Sequence, residues 1–148
     1  MSPGVGVIIN DSVDVALAVG AHGVHVGQDD IPARTARQLL GPGMMLGVSV
    51  KTVKQVATDG ADYLGAGAMF ATATKDSSTI TQETSQHICK AVDISVVAIG
   101  GMNAANATST LQAGCHGMAV VSANLGAQDA VAAAQEIREA VNHALGNT

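Results

Sequence analysis

Aromatic residues are almost missing from this chain. Tyr63 and Phe70 stand alone among 148 residues, and there is no tryptophan. Bases therefore have no stacking platform. Positive charge is also scarce, with seven basic against twelve acidic residues and a formal net charge of −5. The basic residues are scattered, which excludes a nucleic-acid footprint and favours a small-molecule substrate. No apolar stretch approaches a membrane span, and no signal-peptide pattern opens the chain, so it reads as cytoplasmic with no membrane partner. Cysteine is limited to Cys89 and Cys115. Neither has a CxxC partner, a disulfide is not expected in a reducing compartment, and both read as packing residues. Cys115 and His116 would point to opposite faces of a strand rather than form a dyad. The five histidines show no zinc spacing.

What is present is aliphatic. Hydrophobic residues make up 47%, so the core must be built from Ala, Val, Ile, Leu and Met. Seventeen glycines against three prolines suggest tight turns between regular elements. The length suits one domain over residues 1–148.

Short apolar runs alternate with segments of helical period. Strands are predicted at 5–10, 23–27, 44–49, 61–67, 95–101 and 117–123. Helices are predicted at 12–20, capped by Ser12 and stopped by Gly20, and at 31–40, capped by Asp29 or Asp30 with Pro32 in its first turn. Further helices are predicted at 51–60, 81–92, 103–114 with Asn103 as cap, and 127–145. The polar stretch 68–79 is long enough to be a working loop. Non-alternating strands in strict β–α order imply a parallel sheet covered by helices.

A repeat sharpens this. AVGAHGVHVG (18–27), TDGADYLGAG (58–67) and QAGCHGMAVV (112–121) share a frame of helix end, glycine, small residue, polar residue and strand. Each follows another strand–helix unit, so the chain reads as three double (βα)₂ units. That is six strands of a (β/α)₈ barrel. The expectation is an incomplete α/β barrel of TIM type lacking its N-terminal quarter, with exposed edges inviting self-association.

Barrel chemistry sits at the C-terminal ends of strands. Those ends carry Asn10-Asp11, Gly27 to Asp30, Ser49, Thr72 to Lys75, Gly100-Gly101 and Ser122. The glycine pair and VVSAN suit a phosphate cradle; a plain glycine turn is the alternative. Asp11 and Asp30 could share Mg²⁺, which takes one or two carboxylates plus substrate phosphates. They could equally be a first-turn acid and a helix cap. TATK offers two hydroxyls and an ammonium for a diphosphate, or is a solvated loop.

IINDSVDVALAVGAHGVHVGQDDIP, GVS, GAMFATATK, VVAIGGM and VVSAN, in this order, resemble the thiamine phosphate synthase family across nearly the whole chain. The resemblance implies a (β/α)₈ barrel that joins 4-amino-5-hydroxymethyl-2-methylpyrimidine diphosphate to 4-methyl-5-hydroxyethylthiazole phosphate, releasing diphosphate. It implies that Asn10 contacts the diphosphate, that Asp11 and Asp30 hold Mg²⁺, and that His25 lies near the pyrimidine. Ser49, Thr72, Thr74 and Lys75 would bind the diphosphate, and Gly101, Val121 and Ser122 the thiazole phosphate. The implied mechanism is dissociative: diphosphate departs, and the thiazole nitrogen captures a pyrimidine carbocation.

Four departures stand out. Ser12 replaces the arginine of NDR, Ala71 the proline of PTxTK, and Lys51 stands where a histidine commonly follows GVS. The family's Gln-x-Arg-x-Lys signature is absent. A diphosphate ester of about −3, met by roughly +3 from Mg²⁺ and Lys75 and −2 from two aspartates, leaves the site near −2 without that basic pair. Two alternatives accompany the synthase reading. One is a thiazole tautomerase-like barrel, which would release no diphosphate. The other is a truncated, non-catalytic phosphate-binding protein.

Overall fold

The computed structural model describes residues 4–56, 60–72 and 78–146. The strands are β1 (Ile8–Asn10), β2 (Gly23–Val26), β3 (Met45–Val50), β4 (Tyr63–Ala66), β5 (Ser95–Ile99) and β6 (Gly117–Ala119). The helices are α1 (Val13–Val19), α2 (Ala33–Leu40), α3 (Gln82–Lys90), α4 (Ala104–Gln112), α5 (Ser122–Leu125) and α6 (Ala130–Ala144). All strands are parallel and lie in sequence order, β1 to β6, as six consecutive strands of a barrel do. Among the described residues, no helix is long and apolar enough to cross a membrane.

The core lies between the sheet and its helices. Val24, Leu46, Leu64, Val96 and Ala98 alternate onto the outer face and are fully buried in one cluster with Ala16, Ala36 and Ile88. Each buried leucine or isoleucine is worth about 1.5–3 kcal/mol. No aromatic shares that layer: Phe70 is exposed and Tyr63 sits on the opposite face. That opposite, lumen face carries Asn10, His25, Gly47, Ser49, Tyr63 and Gly65.

The threefold repeat has a physical cause. Gly20, Gly60 and Gly114 take left-handed φ values of 64°, 86° and 109°. The small residues Ala21, Ala61 and Cys115 are buried. The polar residue then clips its strand to the preceding one by two bonds. His22 N–H donates to Val7 O (2.9 Å), and Val7 N–H to His22 Nδ1 (2.9 Å). Asp62 repeats this with Leu46 at 2.8 and 2.7 Å, and His116 with Val96 at 2.8 and 3.2 Å.

Arg37 braces the middle clip. Its guanidinium donates to the carbonyls of Gly60, Gly41 and Met44 and to Asp62 Oδ2. The Arg37–Asp62 ion pair is partly exposed and so contributes little. The Leu46 amide, under a fully buried residue, matters more. Asp62→Ala leaves that amide unpaired and is expected to cost about 1–3 kcal/mol in denaturant unfolding. Asp62→Asn, which keeps an acceptor, is expected to lose less.

Several predicted boundaries shift. Asp29 and Asp30 do not cap α2; Pro32 occupies that position, because the Asp30 carboxylate is engaged by the Gly27 amide. Ser12 stands at the α1 N-cap but makes no side-chain cap bond. The predicted helix at 51–60 is, among its described residues, one 3-10 turn at Val53–Gln55. The Gln55 side chain folds back to accept from the Lys51 and Thr52 amides. The strand predicted at 117–123 ends at Ala119, opposite Ile99, because β5 stops there and Val120 has no ladder partner. Asn103 caps α4 as predicted, accepting from the Ala105 and Asn106 amides at 2.9 and 3.2 Å. The long last helix starts on an Asp129 cap.

Candidate active site at the C-terminal ends of the strands

The end of β2 is the hub. Asp11, just past β1, adopts φ 64°, a left-handed conformation that Asp tolerates better than most residues. Its N–H donates to His25 O (2.8 Å), turning the chain over the end of β2. Beyond β2, Asp30 Oδ2 accepts from Gly27 N–H (2.7 Å), folding the 27–30 loop back on the same strand. Both carboxylate-bearing residues are thus anchored to one strand end, Asp11 through its backbone and Asp30 through its side chain. Asn10, Asp11 and Asp30 are all exposed there.

His25 lies one step inside. Its Nδ1 pairs with Tyr63 Oη at 3.0 Å and its Nε2 with Ser49 Oγ at 2.8 Å, across three neighbouring strands. The two rings are tilted 39°, with centroids 5.5 Å apart. Glycine makes the space: a Cβ at Gly47 would overlap the Tyr63 ring and His25 Nδ1, and one at Gly65 would sit 3.0 Å from His25 Cε1. Gln28 Nε2 donates to Ser49 O (2.8 Å), tying the loop after β2 to β3.

Burial lowers the His25 pKa, with the Asp30 carboxylate pulling the other way, and burial raises that of Tyr63. Neutral imidazole has one donor and one acceptor nitrogen, so the two hydroxyls take opposite roles. A stability consequence follows. Unfolded His25 takes up its proton near pH 6.5, and folded His25 only at lower pH. Between the two the unfolded state binds more protons, so stability falls with falling pH and levels off below the folded pKa. Melting temperature across the mildly acidic range is expected to show this slope, and His25→Gln to flatten it.

Gly100 and Gly101, with φ of 92° and 65°, bring the end of β5 against the segment leaving β4. Met69 N–H donates to Ile99 O and Phe70 N–H to Gly100 O. A Cβ at Gly101 would sit 2.7 Å from Ala71 O. The pair is therefore required by chain approach, whatever else it binds, and it seats the segment leading to Thr72. Thr72 is half-buried there; Thr74 and Lys75 lie outside the described residues. Val121 and Ser122 lie just past the end of β6, in the turn into α5. Val121 is the N-cap of α5 and accepts from the Asn124 and Leu125 amides, while Ser122 opens that helix.

Among the described residues, no group of three His, Cys, Asp or Glu side chains could hold a metal alone. Two carboxylates anchored at one strand end do fit Mg²⁺, which completes its shell with water and substrate phosphate. Tyr63 is the residue that motif reading missed. Its signal was present: Tyr63, Gly65 and Gly67 alternate onto the face shared by His25 and Ser49 in the neighbouring strands.

Comparison with known proteins bears on the family and the fold. A family model described as thiamine monophosphate synthase matches residues 2–124. A thiamine-phosphate synthase of Moorella thermoacetica is 49% identical over 144 residues, covering 94% of this chain and 69% of that protein. One of Chloroflexus aurantiacus is 50% identical, covering 94% and 66%. The solved thiamine phosphate pyrophosphorylase of Pyrococcus furiosus superposes with a TM-score of 0.86 at 42% identity, covering 94% of this chain and 68% of that one. The chain thus spans about two thirds of the length of these relatives.

Proposed function

The chain belongs to the thiamine monophosphate synthase family, and from that membership we propose that it serves as a transferase coupling the pyrimidine diphosphate to the thiazole phosphate with loss of diphosphate. The observation that carries this reading is the cluster at the end of β2. There Asp11 and Asp30 are anchored beside a His25 that already engages Ser49.

In this reading Asp11 and Asp30 hold Mg²⁺, which when bound stabilises the negative charge growing on the departing diphosphate. Ser49 and Thr72, with Asn10, Thr74 and Lys75, bind that diphosphate. Proton bookkeeping then orients the inner group. For Ser49 to donate to a phosphate oxygen, its Oγ must accept from His25 Nε2–H, so Tyr63 donates to Nδ1. Burial keeps His25 neutral and hence able to play both roles. The imidazole thereby aims the serine hydroxyl and lies against the pyrimidine, and no general base is needed for leaving-group departure. Gly101, Val121 and Ser122 receive the thiazole phosphate.

The test is to supply the chain with both substrates and magnesium and to follow thiamine phosphate and diphosphate together. Equal amounts of both products support the proposal. No diphosphate release from a folded sample would overturn it for this chain. In that case, a rise in melting temperature with thiazole phosphate but not with pyrimidine diphosphate would identify a non-catalytic phosphate-binding protein.

A further inference from the structure

The two cysteines, remote in sequence, meet in the fold. Cys89 on α3 and Cys115 in the turn between α4 and β6 place their sulfurs 3.7 Å apart. Ser85, one helical turn before Cys89 and fully buried, has its Oγ 3.4 Å from Cys115 Sγ. Gly114, whose φ of 109° favours glycine, turns the chain beside Cys89. Packing does not explain a thiol at this place. Cys115 is the small residue of the third repeat, and the first two repeats fill the same position with Ala21 and Ala61, buried to a similar degree. The fold therefore asks only for a methyl group.

The pair is also reachable. Cys89 is partly exposed and lines an open cleft of about 520 Å³ together with Gln86, Lys90, Asp93, Gly114 and His116. Cys115 lies behind it, buried. The cleft lies beside the start of β6, so it belongs to the end of the sheet opposite the candidate active site.

We propose that Cys89 and Cys115 form an oxidisable dithiol, a modification site that a small peroxide reaches through this cleft and converts into an intramolecular disulfide. Cys89 Sγ attacks a peroxide oxygen as its proton passes to the Cys115 thiolate, the O–O bond breaks, and hydroxide leaves to become water on protonation. Cys89 is then a sulfenic acid. Cys115 sulfur attacks Cys89 Sγ, the S–O bond breaks, and the departing hydroxide takes the thiol proton as a second water. Two thiols and one hydrogen peroxide thus become one disulfide and two waters. The sulfurs need to close from 3.7 Å to about 2.05 Å. Chemistry favours the first step near neutral pH. Hydrogen bonding from Cys89, and more weakly from Ser85, lowers the Cys115 thiol to about 7. The same contact pushes the Cys89 thiol up, so the negative charge rests on Cys115, which serves as the base for Cys89, the sulfur that the cleft exposes.

The test is to treat the reduced chain with hydrogen peroxide and follow intact mass and free thiols. The expected product is a monomer lighter by two hydrogens, with both thiols lost together and restored by dithiothreitol. Peptide mapping should join Cys89 to Cys115. Cys115→Ala, which copies the first two repeats, is expected to stop at a sulfenic acid on Cys89 that a dimedone probe captures. Cys89→Ala is expected to leave Cys115 slow to oxidise. Oxygen addition to the cysteines of the unaltered chain without a crosslink, or disulfide-joined dimers in place of the monomer, would overturn the proposal.

Discussion

Asp30→Asn is expected to weaken magnesium-dependent binding of the pyrimidine diphosphate by about 100-fold if, as proposed, Asp11 and Asp30 hold the cation, since a bound metal supplies several kcal/mol of charge stabilisation. The variant is informative because it changes so little else. An asparagine Oδ1 can still accept from the Gly27 amide, so the 27–30 loop keeps its fold and only the charge is lost. Asp11→Asn is the matching change on the other side. Asparagine tolerates the left-handed φ of 64°, whereas alanine would add strain. With both replaced, affinity measured by calorimetry should be the same with and without magnesium. Magnesium dependence that survives the double variant would remove both residues from the metal assignment. A second readout needs no substrate. The Asp30 carboxylate raises the His25 pKa against burial, so Asp30→Asn should lower it further, which imidazole proton resonances would report.

Gly47→Ala is expected to destabilise the fold by about 1–3 kcal/mol, the usual cost of forcing an extra carbon into a filled space. The added methyl would overlap the Tyr63 ring and His25 Nδ1, so the Tyr63–His25 hydrogen bond should break at the same time. Thermal unfolding measures the first effect, and loss of the His25 pH slope the second. Tyr63→Leu in the same chain removes the ring from that space and leaves His25. The double variant should therefore be less destabilised than the sum of its parts, as expected for residues in contact. Additive losses would mean that the ring is not what the methyl strikes.

The parts of the fold that sequence reading found are those where a local signal and the tertiary arrangement agree. Asn103 caps its helix because the side chain, the free amides and the turn are all within four residues. The three repeats were visible because each needs a left-handed glycine and a polar acceptor at fixed spacing. The misreadings fall where a distant partner decides. Residues 117–123 are apolar and β-branched enough to continue as a strand, yet β6 stops at Ala119 because β5, its ladder partner among the described residues, ends at Ile99. Asp30 has the right chemistry for a helix cap, but the Gly27 amide claims it first. At the candidate site, motifs single out Asp11, Asp30, His25 and Ser49, and the fold brings them to neighbouring strand ends. The link from His25 to Tyr63 was invisible because it depends on register across β2, β3 and β4, with Gly47 standing between the two rings.

The clips that join His22 to Val7, Asp62 to Leu46 and His116 to Val96 span only 15, 16 and 20 residues of chain. Each closes inside its own double unit, and none crosses from one unit into the next. The chain is therefore punctuated like a text of three sentences: a cut between units severs no clip, while a cut inside a unit opens one. Joints near residues 41–43 and 91–94 are the natural places to rejoin the chain in a permuted order or to graft in a matching unit from a relative.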